Sequence, residues 1–187
     1  MRRLALWTVC VLTLGAIAAA VASESFSGSL LIRPSWTHTS EGVTTGSESF
    51  DTLLSWTHTN GDTTNQMNQV WVSRRSLASN ASEVIDIDGA ITNIFGTVLT
   101  VAEVRFFAVV SASTNTTAIA VGNAPSTAFA TWVRSSDDSV IVRPGGALVL
   151  VAPDATAYAV SGNGNIGITN LGASAVAYDV WIGGSDN

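Results

Sequence analysis

The chain has 187 residues, room for one domain of ordinary size and no second large one. Hydrophobic residues make up 47% and charged residues only 12%, which excludes a disordered tail and a charge-laced helical protein. All the basic residues are Arg, none is Lys, and the net charge is −6, so a basic face for nucleic acid is excluded as well.

The first element in chain order is apolar. Met1-Arg2-Arg3 precedes a run from Leu4 to Ala22 that closes on small residues before Ser23. A charged start, an apolar stretch and small residues at its end predict a secretory signal peptide cleaved between Ala22 and Ser23. The run is also long enough to cross a bilayer as an uncleaved anchor helix. Any membrane contact is expected through this segment alone. Cys10, the one cysteine, falls inside it, so the rest of the chain has no disulfide and no cysteine metal site.

Residues 23–68 form a Ser- and Thr-rich segment with one internal repeat. Ser35-Trp36-Thr37-His38-Thr39 returns as Ser55-Trp56-Thr57-His58-Thr59, and each copy runs into a glycine-containing turn. Alternating Trp, His and Thr predict strands, so two hairpins or strands of common origin are expected. If the two copies pair, His38 and His58 face each other, but no third metal ligand accompanies them.

Residues 69–187 read as a series of short strands: 70–77, 83–87, 98–111, 117–121, 128–133, 140–142, 147–152, 156–160, 165–169 and 175–182. Turn signals separate them, among them Asp88-Gly89 and Arg143-Pro144-Gly145-Gly146, which suits a type II turn. Short strands at this spacing, with no helical period between them, predict an all-β protein with an antiparallel β-sandwich or jelly roll. Residues 23–187 are expected to form one globular unit.

Several motifs invite a chemical reading and fail it. Gly162 to Gly167 fits G-x-G-x-x-G, but Ile168-Thr169-Asn170 continues as strand where a phosphate-binding loop needs a helix. Asp86-Ile87-Asp88-Gly89 resembles part of a calcium loop, yet Val84 and Phe95 occupy positions that need carboxylates. Asp137-Asp138 reads as a turn. No signature sets a serine beside His and Asp, and the spacing of Glu83, Glu103 and Asp154 gives no support to a glycosidase pair. Catalytic residues, metals and cofactors are therefore not expected.

Large aromatics and the basic pair are the remaining candidates. Trp36, Trp56, Trp71, Trp132 and Trp181 follow the leader, and buried core or subunit contact is the favoured role over stacking on a sugar. Arg74 and Arg75 point to opposite faces of a strand and are open to an intersubunit bridge or to solvent. Trp36, His38, Trp56, His58, Trp71, Arg74 and Arg75 form the candidate interface or glycan-contact set. Asn80-Ala81-Ser82 and Asn115-Thr116-Thr117 match glycosylation sequons.

A resemblance covers residues 69–187. Ser76-Leu77-Ala78, Ile85-Asp86-Ile87-Asp88-Gly89, Phe95-Gly96, Val104-Arg105-Phe106-Phe107, Arg143-Pro144-Gly145-Gly146-Ala147, Pro153-Asp154-Ala155-Thr156-Ala157-Tyr158-Ala159-Val160 and Tyr178-Asp179-Val180-Trp181-Ile182-Gly183 carry it, together with Ser113-Thr114-Asn115-Thr116. In these the chain resembles small β-sandwich proteins that tailed bacteriophages encode and that belong to the virion. The resemblance implies a non-enzymatic structural subunit, a capsid decoration or a fibre- or tail-associated protein. Its expected partners are further copies of itself, other virion proteins and a host-surface glycan. The leader opens an alternative: a secreted or periplasmic carbohydrate-binding or adhesin-like module, or a surface-filament subunit.

Overall fold

The computed structural model describes residues 27–40, 46–160 and 162–187. The predicted leader and its cleavage point, Ala22 and Ser23, lie outside the described residues. Within them the chain is all-β, its sheets are antiparallel, and no helix is long and apolar enough to cross a membrane.

The first four strands make a long two-stranded ribbon. β1 (Ser27–Ile32) pairs with β4 (Leu54–Thr59), and β2 (Ser35–Ser40) pairs with β3 (Gly46–Asp51). One register runs through both halves, because Ile32↔Leu54 is followed by Ser35↔Asp51. The interruption falls at Pro34, which has no N–H to give to the ladder. Its carbonyl still accepts from the Thr52 N–H at 3.3 Å, and Arg33 bridges Asp51 through Nε at 2.8 Å. The two copies of the repeat thus form strands on opposite sides of the ribbon. They do not pair with each other, so strand pairing does not bring His38 and His58 together.

The rest of the chain builds two larger sheets, one of five strands and one of four. One has the order β12 (Ala147–Val151), β9 (Glu103–Ser111), β15 (Val176–Ser185), β5 (Gln69–Leu77), with the short β13 (Tyr158–Ala159) also on β9. The other has the order β11 (Ser139–Val142), β10 (Ile119–Gly122), β14 (Asn165–Asn170), β6 (Ser82–Asp86). A hairpin, β7 (Asp88–Thr92) with β8 (Val98–Thr100), links β6 to β9. The chain crosses repeatedly between the two sheets, staying in one only from β10 to β11 and from β12 to β13, and one hydrophobic cluster draws on both. Phe107, Val109, Tyr178, Val180 and Ile182 of the first meet Ile85, Ile119, Val121, Ile166 and Ile168 of the second.

Two expected strands and one expected turn are altered. The run 98–111 is two strands, because Val101 donates to the Ile87 carbonyl and Ala102 to that of Ser185, which turns the chain between them. Residues 128–133 are not a strand: Val133 closes a turn onto Ala130, and Trp132 packs on Phe107 at 5.9 Å between ring centroids. Asp88-Gly89 opens β7, where Gly89 takes φ +102° in a register shift, and so it is not a hairpin turn. In Arg143-Pro144-Gly145-Gly146, Gly145 takes φ +73° and Gly146 donates back to Arg143 at 2.8 Å.

The Arg pair is used within the chain. Arg75 points inward and joins the sheets, its Nε donating to both oxygens of Glu83 on β6 at 2.8 and 2.9 Å. Arg74 points outward to Asp179, its register partner on β15, and holds that carboxyl below its usual pKa through the hydrogen bond. Solvent screens the outer pair, whereas the inner one is part-buried and ties together the edge strands β5 and β6 of the two sheets. Arg75→Ala is therefore expected to lower the denaturant midpoint of unfolding clearly more than Arg74→Ala, and equal effects would contradict this placement.

Candidate interaction face

Period two in a strand sends alternate side chains to opposite faces of a sheet. In β12-β9-β15-β5 one set enters the core, and the register sorts the outward set into rows. Val72, Trp181, Ala108 and Val149 form one row across the four strands. Val70, Gly183, Phe106 and Val151 lie beside it on one side, and Arg74, Asp179, Val110 and Ala147 on the other. An antiparallel sheet with one solvated face ordinarily shows polar residues there. This face carries a single charged pair, and Val72, Trp181 and Val110 are exposed on it, Trp181 at 46%.

The base of the ribbon lies against the same face. Met67, in the connection from β4 to β5, rests on the bare backbone of Gly183, where a Cβ would come within 2.6 Å of its sulfur. Gly183 is thus required by close approach. Beside it a cleft of about 300 Å³ remains between ribbon and sheet, lined by Leu30, His58, Met67, Val72, Phe106 and Trp181. His58 is only 3% exposed, and its Nε2 has no hydrogen-bond partner among the described residues. Burial, and secondarily the charge of Arg105, push its pKa below the ordinary histidine value, so the ring is neutral at pH 7.

Arg105 fixes this arrangement. The register of β15 passes from Phe106 at Gly183 to Val104 at Gly184, leaving Arg105 as the extra residue of a bulge. Its guanidinium is fully buried at the end of the sheet. Nη2 donates to the Asp62 carbonyl at 2.7 Å and to Glu103 Oε2 at 2.7 Å, and Nη1 donates to the Asp154 carbonyl. Asp62 belongs to the segment that carries the ribbon, and Asp154 to the connection after β12. That second connection is itself set by the Asp154 carboxylate, which accepts from Thr156 and Ala157 and is held below its usual pKa by those bonds.

Of the candidates read from the sequence, Arg74 stands on this face, and His58 and Trp71 line the cleft beside it. Trp56 is half-buried opposite Leu30, His58 lines the cleft, and Trp71 belongs to the core cluster. Trp36 and His38 stand in β2, opposite Phe50 and Glu48. The residues that sequence reasoning passed over are the outward Val72, Phe106, Val110 and Val149. Among the described residues, no group of His, Cys, Asp and Glu is placed to hold a metal ion. The amide nitrogen of Asn115, in the second sequon, donates to Ser111 Oγ and the Ala177 carbonyl, whereas Asn80 in the first is exposed.

Two measurements test the site. Arg105→Ala removes the cation while Glu103 and the carbonyls of Asp62, Asp154 and Ala155 stay behind, and a loss of about 3 kcal/mol in unfolding free energy is expected from denaturant titration. For His58 the sign follows from its lowered pKa. Above about pH 6.5 the imidazole is neutral both folded and unfolded, so it adds no pH dependence. Below that the unfolded chain takes up the proton first, and stability falls until the lowered native pKa is passed. Between pH 7 and 5, His58→Phe is expected to show a shallower loss of stability than the parent chain, and parallel curves would contradict the burial.

Comparisons with protein-family models, with curated proteins and with solved structures found no match to this chain.

Proposed function

We propose that the chain is a non-enzymatic structural subunit of a bacteriophage virion that acts by contact between sheet faces, with the outer face of β12-β9-β15-β5 as its assembly surface. The observation that carries this reading is the composition of that face: three aligned rows of outward residues with one ion pair among them. Exposed apolar surface of that kind marks an interaction site, because leaving it in water costs about 25 cal/mol per Å². The strand order supports the same reading. The order β12-β9-β15-β5 in one antiparallel sheet, with β13 also on β9, and β11-β10-β14-β6 in the other supports a jelly-roll reading. Viral capsid domains use that architecture, and its sheet faces are available for packing against neighbours. The resemblance of residues 69–187 to phage virion proteins points the same way. An assembly subunit is placed in the virion and takes itself and other virion proteins as partners. A capsid decoration or a fibre- or tail-associated position both fit.

Light scattering coupled to size-exclusion chromatography tests the reading. The chain is expected to elute as a multiple of its own mass at micromolar concentration, and Trp181→Arg is expected to reduce this to a single chain. Far-ultraviolet circular dichroism and the melting temperature should stay near those of the parent, because Trp181 points outward. A parent chain that is monomeric at high micromolar concentration overturns the proposal, and so does an unchanged mass in Trp181→Arg.

A further inference from the structure

The hairpin of β7 and β8 ends in an apolar tip that takes no part in the outer sheet face. Its strands close through the pairs Ile91↔Leu99 and Thr92↔Val98, and Ile91 and Leu99 are held in the core cluster. Beyond them the chain turns outward, and Ile94 is 88% exposed and Phe95 72%. A cleft of about 440 Å³ lies between this tip and β5, with Ile94 and Phe95 on one side and Val70 and Val72 on the other, so the tip stands clear of the sheet. From Gly89 to Ala102 no residue is charged. Single exposed apolar side chains are ordinary, but two adjacent ones at the apex of an uncharged hairpin form a concentrated apolar surface.

The loop is built so that this apex can leave water. The Asn93 N–H donates to the Thr97 carbonyl at 2.9 Å, and the Gly96 N–H to the Asn93 carbonyl at 3.0 Å. The Asn93 side-chain oxygen accepts from the Phe95 N–H at 2.9 Å and from the Thr97 N–H at 3.0 Å. Four of the five N–H groups from Asn93 to Thr97 are thus closed within the loop. Hydrocarbon offers no acceptor, so backbone enters it only with its polar groups met internally. A protein pocket sets no such condition, because it can supply acceptors of its own. Side-chain chemistry favours the same environment, since Ile and Phe lack the polar ends of the Trp, Tyr and Arg that anchor protein interfaces. The reach fits as well. Phe95 lies three residues beyond Thr92, about 10 Å of chain at most at about 3.3 Å per residue, and interfacial elements enter a bilayer by about 5–10 Å.

We propose that the tip of this hairpin is a bilayer-contact element, with Ile94 and Phe95 entering the headgroup region of an electrically neutral membrane. The hairpin tip carries no cation, and Asp88 and Glu103 bound the uncharged run, so anionic lipid gains no attraction to it. This is a surface separate from the outer sheet face, and a membrane contact outside the apolar leader. Two side chains remove little area from water, so the partition is weak and reversible, no stronger than that of a single acyl chain.

The test uses the full chain with phosphatidylcholine vesicles whose acyl chains carry bromine, a short-range quencher of tryptophan. Phe95→Trp places a reporter at the tip and Thr100→Trp places one at the base of the same hairpin, each read as the emission it adds to the parent's. Both reporters are local, so binding through the leader does not imitate the result. On adding vesicles at about millimolar lipid, the emission added by Phe95→Trp is expected to shift to the blue and be quenched, and that added by Thr100→Trp to stay unchanged. Ile94→Asp combined with Phe95→Trp is expected to abolish the quenching, and replacing part of the lipid with phosphatidylserine is expected not to increase it. Melting temperatures within a few degrees of the parent's serve as the fold control, and Ile94→Asn replaces Ile94→Asp if that control fails. Equal quenching at positions 95 and 100, quenching that survives the change at Ile94, or quenching that rises with phosphatidylserine overturns the proposal. An unquenched tip overturns it too, and if Ile94→Asp then lowers the mass measured by light scattering, the tip is a contact between chains instead. None of these outcomes bears on the assembly face, which Trp181→Arg tests separately.

Discussion

The buried guanidinium of Arg105 is the interaction on which the outer architecture depends. A charge taken fully out of water is costly unless it is hydrogen-bonded, and here Nη1 and Nη2 are met by groups from three parts of the chain, Glu103 on the same strand, Asp62 beyond the ribbon and Asp154 beyond β12, while Nε has no partner among the described residues. The bulge that frees Arg105 from the ladder aims it at those carbonyls, and the adjoining glycines follow from it. A Cβ on Gly184 would lie 2.1 Å from the Glu103 carbonyl oxygen. Once Asp62 is fixed, so is the path to Met67, and with it the place where the ribbon crosses the sheet.

From that anchor the functional surface follows by alternation. The strands of β12-β9-β15-β5 are apolar on both sides, and the inner side is satisfied by the opposite sheet. The outer side is covered only in part, by the base of the ribbon, which leaves the row through Val72 and Trp181 beside an apolar cleft. Stability and function draw on the same strands but on opposite faces, so outward substitutions are separable from folding. His58 sits where the two meet, buried at the edge of the cleft.

Much of the fold was legible in the sequence. Alternation and turn chemistry located most strands of the two sheets, and Pro-Gly marked the link from β11 to β12. The failures have local causes. Asp88-Gly89 carries turn residues, yet a bulge uses them equally well. The apolar run 98–111 conceals a change of partner that only distant carbonyls impose. Phe129 and Trp132 look like strand residues, but they fill the core from a loop. The site was less legible, for a physical reason. Consecutive apolar residues such as Phe106 to Val110 read the same whether the second face is covered by another layer or left open, and strand order alone distinguishes the cases. Arg105 gave no sequence signal of its importance, because its partners are backbone carbonyls.

The central claim is that the face bearing Trp181 becomes buried between chains. Fluorine nuclear magnetic resonance of the chain labelled with 5-fluorotryptophan, with Trp181 assigned from Trp181→Phe, tests it most directly. As the protein concentration rises through the assembly range, the Trp181 resonance should shift or broaden and lose its sensitivity to a dissolved paramagnetic probe, while those of Trp71 and Trp132 stay unchanged. A Trp181 signal that remains equally open to the probe at every concentration at which the chain self-associates would contradict the account.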